Sequence, residues 1–486
     1  MKDKSFLYHF LIIGSGTALN MLIGVITTPV ITRMVNPIEY GQYSIFLMYS
    51  SIAVMVLCLG MDQALVRYYY EVKSIGYQTS LFLKCITYPI LAGIGVSICF
   101  IWLVYTGKVN FEFNIPICIA LCIYVNISII NRLISMLIRL EYNSKLYSTL
   151  NVLNKILYMV IAIVALILFK SKGLECLVFA SIITIFICTV VAVISQKQRW
   201  IISMNGVKEC AVSQKDLLKY ALPYVPALGV STIFQAVDKI ALNYYCSYTE
   251  VGIYSSTLTL VSIFAIIQTT FNTLWTPMQV KSFQENPDDK TFFQNGNQII
   301  TVVMFFFGIS LILVKDVFAL LLGEQYRAAA YILPFLIFNP IMYTISETTV
   351  GGLVFMKKSG MQIVVAIGAC TTNIIGNIIL VPLLGCRGAA ISTGIAYIVF
   401  FTLRTMLSNH YYPVDYKLGK FYILTIVSLL YALYNTFVKF NWGSIIGYIV
   451  VAIVICGMYK STVNWCLKYV FDTFKKTCHR DNNRDF

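Results

Sequence analysis

Charge is what this sequence has least of. Asp, Glu, Lys and Arg make up 12% of its 486 residues, where a soluble domain carries roughly 25%. Hydrophobic residues reach 58%, and mean hydropathy is +0.78. Too little polar surface exists to cover a water-soluble globule of 54.9 kDa. Disorder is excluded by the low charge and collagen by the missing Gly-X-Y period. Histidine is nearly absent. His9, His410 and His479 fall near segment ends, which argues against metal catalysis, and neither a catalytic nor a metal site is expected. The 14 cysteines are scattered, mostly inside apolar runs, with no CxxC or His-paired spacing, and read as small core residues. No P-loop, zincin motif or activated-Ser signature occurs, so any ATP dependence would need a partner chain. No large outside domain is present of the kind that membrane glycosyltransferases and polymerases use to hold acceptor sugars. A transporter is expected rather than an enzyme.

What is there is a series of long apolar runs. A helix needs about 20 apolar residues to cross a roughly 30 Å hydrocarbon core, and about 14 such runs are found. The first six span 8–32, 42–60, 80–105, 114–138, 146–169 and 173–195. The next six span 218–243, 251–274, 297–314, 329–356, 360–384 and 388–403, followed by 421–437 and 443–459. The fold class is therefore an all-α polytopic membrane protein. The first run is too long for a signal-peptide core and lacks a cleavage site, so it is expected to be retained. The ninth is interrupted by Lys315 and Asp316. The net charge of +15 follows from cytoplasmic loops rich in Lys and Arg, not from nucleic-acid binding. With the N-terminus inside, about 24 basic residues, Arg404 among them, fall on the cytoplasmic side and about 8 outside, placing both termini in the cytoplasm. Lys84 lies close to a cytoplasmic end, where it snorkels. Residues 463–474 place Val463, Cys466, Leu467, Val470, Phe471 and Phe474 on one stripe, the pattern of an interfacial helix.

An internal repeat is visible. Glu39-Tyr40-Gly41-Gln42-Tyr43-Ser44 is similar to Glu250-Val251-Gly252-Ile253-Tyr254-Ser255, and Lys172-Gly173 matches Arg387-Gly388. An offset of about 210 residues, six spans, implies two bundles in the same orientation, related by an axis along the membrane normal. The expected organisation is a six-helix lobe at 1–195, a linker at 196–217, a second lobe at 218–411, two further helices at 412–460, and a cytoplasmic tail at 461–486.

Few charges lie within spans, and each costs about 2.5–3.5 kcal/mol at mid-membrane, so it should face a cavity or a partner. Span four carries Tyr124, Ser128, Asn131, Arg132, Ser135 and Arg139 on one face, and span five carries Ser148, Asn151, Asn154, Lys155 and Tyr158. The only acid close in sequence is Glu141, in the loop between them. These stripes read either as the lining of a wet, positively charged chamber suited to an anionic substrate or as a satisfied helix–helix network. Span seven adds Lys239, a third candidate cation for the anionic substrate, and Asp238, about 100° from it on the helix. Span ten places Asn339, Tyr343, Ser346 and Glu347 on one face. Asp238 and Glu347 are candidates for binding a coupling H⁺ or Na⁺, with ion pairing of Glu347 to Lys239 as the alternative. No other cofactor is expected. Six prolines within spans, Pro29, Pro89, Pro223, Pro226, Pro334 and Pro340, are compatible with kinks and rocking.

Several stretches then carry a resemblance. They are Val35-Asn36-Pro37-Ile38-Glu39-Tyr40-Gly41, Leu59-Gly60-Met61-Asp62-Gln63-Ala64-Leu65-Val66-Arg67-Tyr68, and Leu222-Pro223-Tyr224-Val225-Pro226 with Asp238-Lys239 and Val251-Gly252-Ile253-Tyr254. Near the end are Asn377-Ile378-Ile379-Leu380-Val381-Pro382 and Gly385-Cys386-Arg387-Gly388-Ala389-Ala390. In order and spacing the chain resembles the polysaccharide-transporter, or O-antigen flippase, branch of the multidrug/oligosaccharidyl-lipid/polysaccharide exporter superfamily. The resemblance implies two six-helix lobes plus two C-terminal helices, alternating access, and residence in the bacterial inner membrane. It implies as substrate an undecaprenyl-pyrophosphate-linked oligosaccharide destined for O-antigen, lipopolysaccharide, capsule or exopolysaccharide, with a polymerase and a chain-length regulator as partners. It transfers no residue role. The alternatives are a multidrug exporter or lipid II flippase of the same superfamily and, from another class, a membrane glycosyltransferase or polymerase.

Overall fold

The computed structural model describes residues 2–170, 172–204, 212–358, 360–465 and 468. These form α-helices and one short 3₁₀ turn, with no strand among the described residues. By their contacts they divide into two compact units.

The first unit is Met1–Ile266 with Leu322–Tyr326. It opens with α1 (Lys2–Met34) and α2 (Pro37–Leu57), then the short α3 (Met61–Tyr68). Next come α4 (Ile75–Tyr105), α5 (Ile115–Leu140), α6 (Ser144–Leu168) and α7 (Gly173–Ser195). The short α8 (Lys197–Met204) and α9 (Gln214–Ala221) lead to α10 (Tyr224–Tyr245) and α11 (Tyr248–Val261). Caps set several boundaries. Asn36 accepts from the Glu39 amide at 2.9 Å, with Pro37 at the first helical position, so α2 begins where its orphan amides are satisfied. Gly60, at φ +69°, turns the chain into α3, and a Cβ there would come within 2.3 Å of the Ala221 carbonyl. Lys84 Nζ donates to the Val212 carbonyl at 3.1 Å.

The second unit is Ile267–Leu321 with Arg327–Phe486. It takes in most of α12 (Ile263–Glu285), then α13 (Thr291–Leu313) and α14 (Lys315–Leu321). There follow α15 (Ala329–Leu336), α16 (Phe338–Thr349), α17 (Gly351–Phe355), α18 (Met361–Leu384), α19 (Cys386–Tyr411), α20 (Leu418–Phe437) and α21 (Trp442–Met458). A cluster of Trp275, Phe293, Tyr412, Val414 and Tyr416 holds the segment after α19 against α12 and α13.

Among the described residues, twelve helices are long and apolar enough to cross a membrane. The 17-residue α21 stands where the fourteenth run was expected. The protein is an all-α polytopic membrane protein. The ninth run does form a helix, ending at Leu313. Lys315 then starts α14, fully buried, donating to the Val438 carbonyl at 2.9 Å. The tenth run is split into α15, α16 and α17. The stripe expected over 463–474 lies, beyond Trp465 and apart from Lys468, outside the described residues.

Candidate functional site: polar helix faces inside the apolar bundle

The repeat seen in sequence is a contact in the fold. Ser44 on α2 donates to Ser255 on α11 at 2.7 Å, 211 residues apart. A Cβ on Gly41 would meet the Tyr248 carbonyl at 1.9 Å and the Gly252 amide at 3.0 Å. One on Gly252 would meet the Pro37 carbonyl at 2.1 Å and the Gly41 amide at 3.1 Å. Equivalent residues of the two copies thus touch each other. The missing side chains let two backbones meet. On the same loop side, Glu112 accepts from Asn243 Nδ2 at 2.6 Å and Tyr248 Oη at 3.2 Å, tying the 106–113 loop to α10 and α11.

Arg132 is not an uncompensated cation. Its Nη2 lies 2.6 Å and its Nε 3.2 Å from Oδ2 of Asp62, at the start of α3. The two ends differ: the Asp62 side chain is 2% exposed and that of Arg132 39%. One guanidinium therefore neutralises a buried carboxylate while keeping an accessible face. Nothing near Arg132 in the sequence points to this partner, which lies 70 residues upstream.

Asn131 and Asn154 turn toward α7. Asn131 Nδ2 donates to Thr189 Oγ1 at 3.0 Å, and Asn154 lies beside Cys188. For these two the helix–helix network holds. Lys155 differs. It is exposed, and it sits one turn before Tyr158, whose ring stacks on Tyr43 of α2 at 6.1 Å. Asn151, half-buried, shares that inward face. Neither Lys155 nor the half-buried Lys239 makes an ion pair among the described residues. Asp238 is buried and accepts from Tyr254 Oη at 2.6 Å.

In the second unit Glu347 pairs with Arg404, Oε1 to Nη1 at 2.8 Å, and the same nitrogen donates to Ser346 Oγ at 2.7 Å. Arg404 is 5% exposed. It lies over the mutually stacked rings of Tyr343 and Phe400, at 5.6 and 5.5 Å. This corrects its expected place in a cytoplasmic loop: α19 continues to Tyr411 and carries Arg404 inside the helix. Among the described residues no group of three or more His, Cys, Asp or Glu could hold a metal ion.

A family model described as polysaccharide biosynthesis protein matches residues 6–283, more than half of the chain. The chain belongs to the polysaccharide biosynthesis protein family. The match takes in every candidate residue of the first unit, from Asp62 to Lys239. Among solved structures, this family member is similar to the lipid II flippase MurJ in an inward closed conformation. The TM-score is 0.68 and identity 15%, over 95% of this chain and 100% of that one. It is also similar to an inward-facing multidrug resistance MATE family transporter of the MOP superfamily, at TM-score 0.55 and 12% identity, over 83% and 97% of the chains. A MATE transporter in complex with MaD5 gives 0.56 and 11%, over 83% and 95%. The family member thus has the fold of these transporters. No curated protein matches it by sequence.

Proposed function

We propose that the protein is a flippase of the bacterial inner membrane, with both termini in the cytoplasm. It moves undecaprenyl-pyrophosphate-linked oligosaccharide units, for O-antigen, capsule or exopolysaccharide, from the cytoplasmic to the outer leaflet by alternating access. The observation that carries this reading is Lys155. An accessible ammonium on the inward face of a membrane helix, with no ion pair among the described residues, must meet water or an anion, because lipid would not tolerate it. The exposed face of Arg132 adds a second cation, and Asn151 supplies a neutral donor and acceptor for sugar hydroxyls. Family membership supports a polysaccharide precursor as cargo, and the fold supports transport over synthesis. Cationic drugs would favour an acidic lining instead, which disfavours multidrug export. Asp238, buried beneath the Tyr254 hydroxyl, is a better candidate than Glu347 for ion coupling, since Arg404 already neutralises Glu347. The polymerase and chain-length regulator would act on the delivered product.

The test is surface polysaccharide in cells carrying Lys155→Ala, with membrane protein level as control. Loss of a charged hydrogen bond of about 1.5–3 kcal/mol should cut transport roughly ten- to hundredfold. Polymer at the wild-type level, or loss of polymer length with normal translocation, would overturn the reading.

A further inference from the structure

The face of α6 next to the polar stripe carries a different feature. A groove of about 500 Å³ runs between α1 and α6, lined by Ile12, Leu19, Val152, Leu153 and Ile156. Lys145 and Thr149, both exposed, stand on its α6 wall. Where the two helices touch, the floor is closed. A Cβ on Gly16 would fall 1.7 Å from Ser148 Oγ, and that hydroxyl donates to the Ile12 carbonyl at 3.3 Å. Its polar floor is thus satisfied, and the surface it offers is hydrocarbon. From Lys145 to Ile156 is eleven residues, about 16 Å at 1.5 Å per residue. That is the depth of one leaflet, half of a roughly 30 Å core. The basic end is the one that the excess of Lys and Arg assigns to the cytoplasm.

We infer that this groove holds the prenyl chain of the lipid-linked substrate in the cytoplasmic leaflet, with Lys145 beside the lipid phosphate. The inference rests on the flippase reading above and adds to it where the tail lies before transport. Charge sets the polarity of the occupant: one cation at the interface and an apolar trough below it match an anionic head on a long hydrocarbon. A trough between two helices in contact takes one chain, and a two-tailed lipid would leave its second chain outside. Position connects the groove to the site. The stripe of Asn151 and Lys155 is one residue, about 100°, around α6 from Val152 and Ile156. A head group at Lys145 therefore waits about 9 Å along α6 from Asn151 and about 15 Å from Lys155.

The experiment measures retention of undecaprenyl monophosphate by the full chain in detergent, by native mass spectrometry, with phosphatidylglycerol as competitor. Thr149→Trp fills the groove and should weaken retention about tenfold or more, several buried methylenes being worth about 0.8 kcal/mol each. Thr149→Ala leaves the groove open and should bind as wild type, and Lys145→Gln should bind more weakly. An unchanged melting temperature checks the fold of Thr149→Trp. If it melts early, Ile156→Trp fills the other end of the groove. Wild-type retention by a folded Trp variant, or full displacement by phosphatidylglycerol, would overturn the groove and leave the flippase reading standing. Failure of the wild-type chain to retain the probe at all would overturn both.

Discussion

Asp62 and Arg132 are unequal partners, and the inequality shapes how Arg132 can be tested. Removing Arg132 strands a carboxylate that is 2% exposed, whereas removing the charge of Asp62 leaves a guanidinium that still reaches water. Breaking a buried pair from one side costs about 3–5 kcal/mol. Arg132→Ala should therefore lower the melting temperature markedly, and Asp62→Asn should lower it less. The double variant should recover most of the loss in a thermal double-mutant cycle. Equal destabilisation by the two single variants, with additivity, would show that the pair is not the unit described. The double variant is also the proper probe of function, since it removes the accessible cation without leaving a bare acid. Sequence alone points to the charges inside spans but not to their partners. Asp62 lies 70 residues from Arg132, and Arg404 lies 57 from Glu347. Helical periodicity reports which residues share a face and says nothing of what a distant helix brings to it.

At the scale of elements, the junction of α2 and α11 depends on two glycines that have no room for a side chain. A methyl at Gly252 would overlap the Pro37 carbonyl, and one at Gly41 the Tyr248 carbonyl. Gly252→Ala should destabilise by about 1–3 kcal/mol through overpacking. Gly24 on α1 has nothing within 4 Å of a new Cβ. There the same change should be neutral or should stabilise by up to about 1 kcal/mol, because alanine is the better helix former. Melting curves of the two variants in detergent decide it, and equal effects would contradict the packing described. The helices themselves were legible, because twenty apolar residues in a row leave few other structures open. Their interruptions were less so. Pro334 and Pro340 hinted at the division of the tenth run, but only packing shows three helices there. Nothing in the eighth run announced that it divides between α11 and α12. Lys315, which looked like a flaw in the ninth run, is the buried residue that opens α14 and holds Val438.

For the whole molecule, the consequence lies in the contact between the two copies of the repeat. Two weak sequence matches at similar offsets suggested an axis, and Ser44 and Ser255, equivalent positions of the first match, are in contact. An alternating-access cycle moves such repeats against each other, so a bond across the axis should stop it. Ser44 Oγ and Ser255 Oγ are 2.7 Å apart, close enough for two sulfurs to join after a small rotamer change. Ser44→Cys with Ser255→Cys should therefore oxidise readily, in a background where the exposed Cys99, Cys246 and Cys456 are replaced by serine. The oxidised protein should fail to deliver surface polysaccharide, and a reductant should restore delivery. Each single cysteine variant should transport normally under both conditions. Undiminished transport by the fully cross-linked protein would mean that α2 and α11 stay together throughout the cycle. The moving parts would then have to be sought within the second unit, around Arg404 and Glu347.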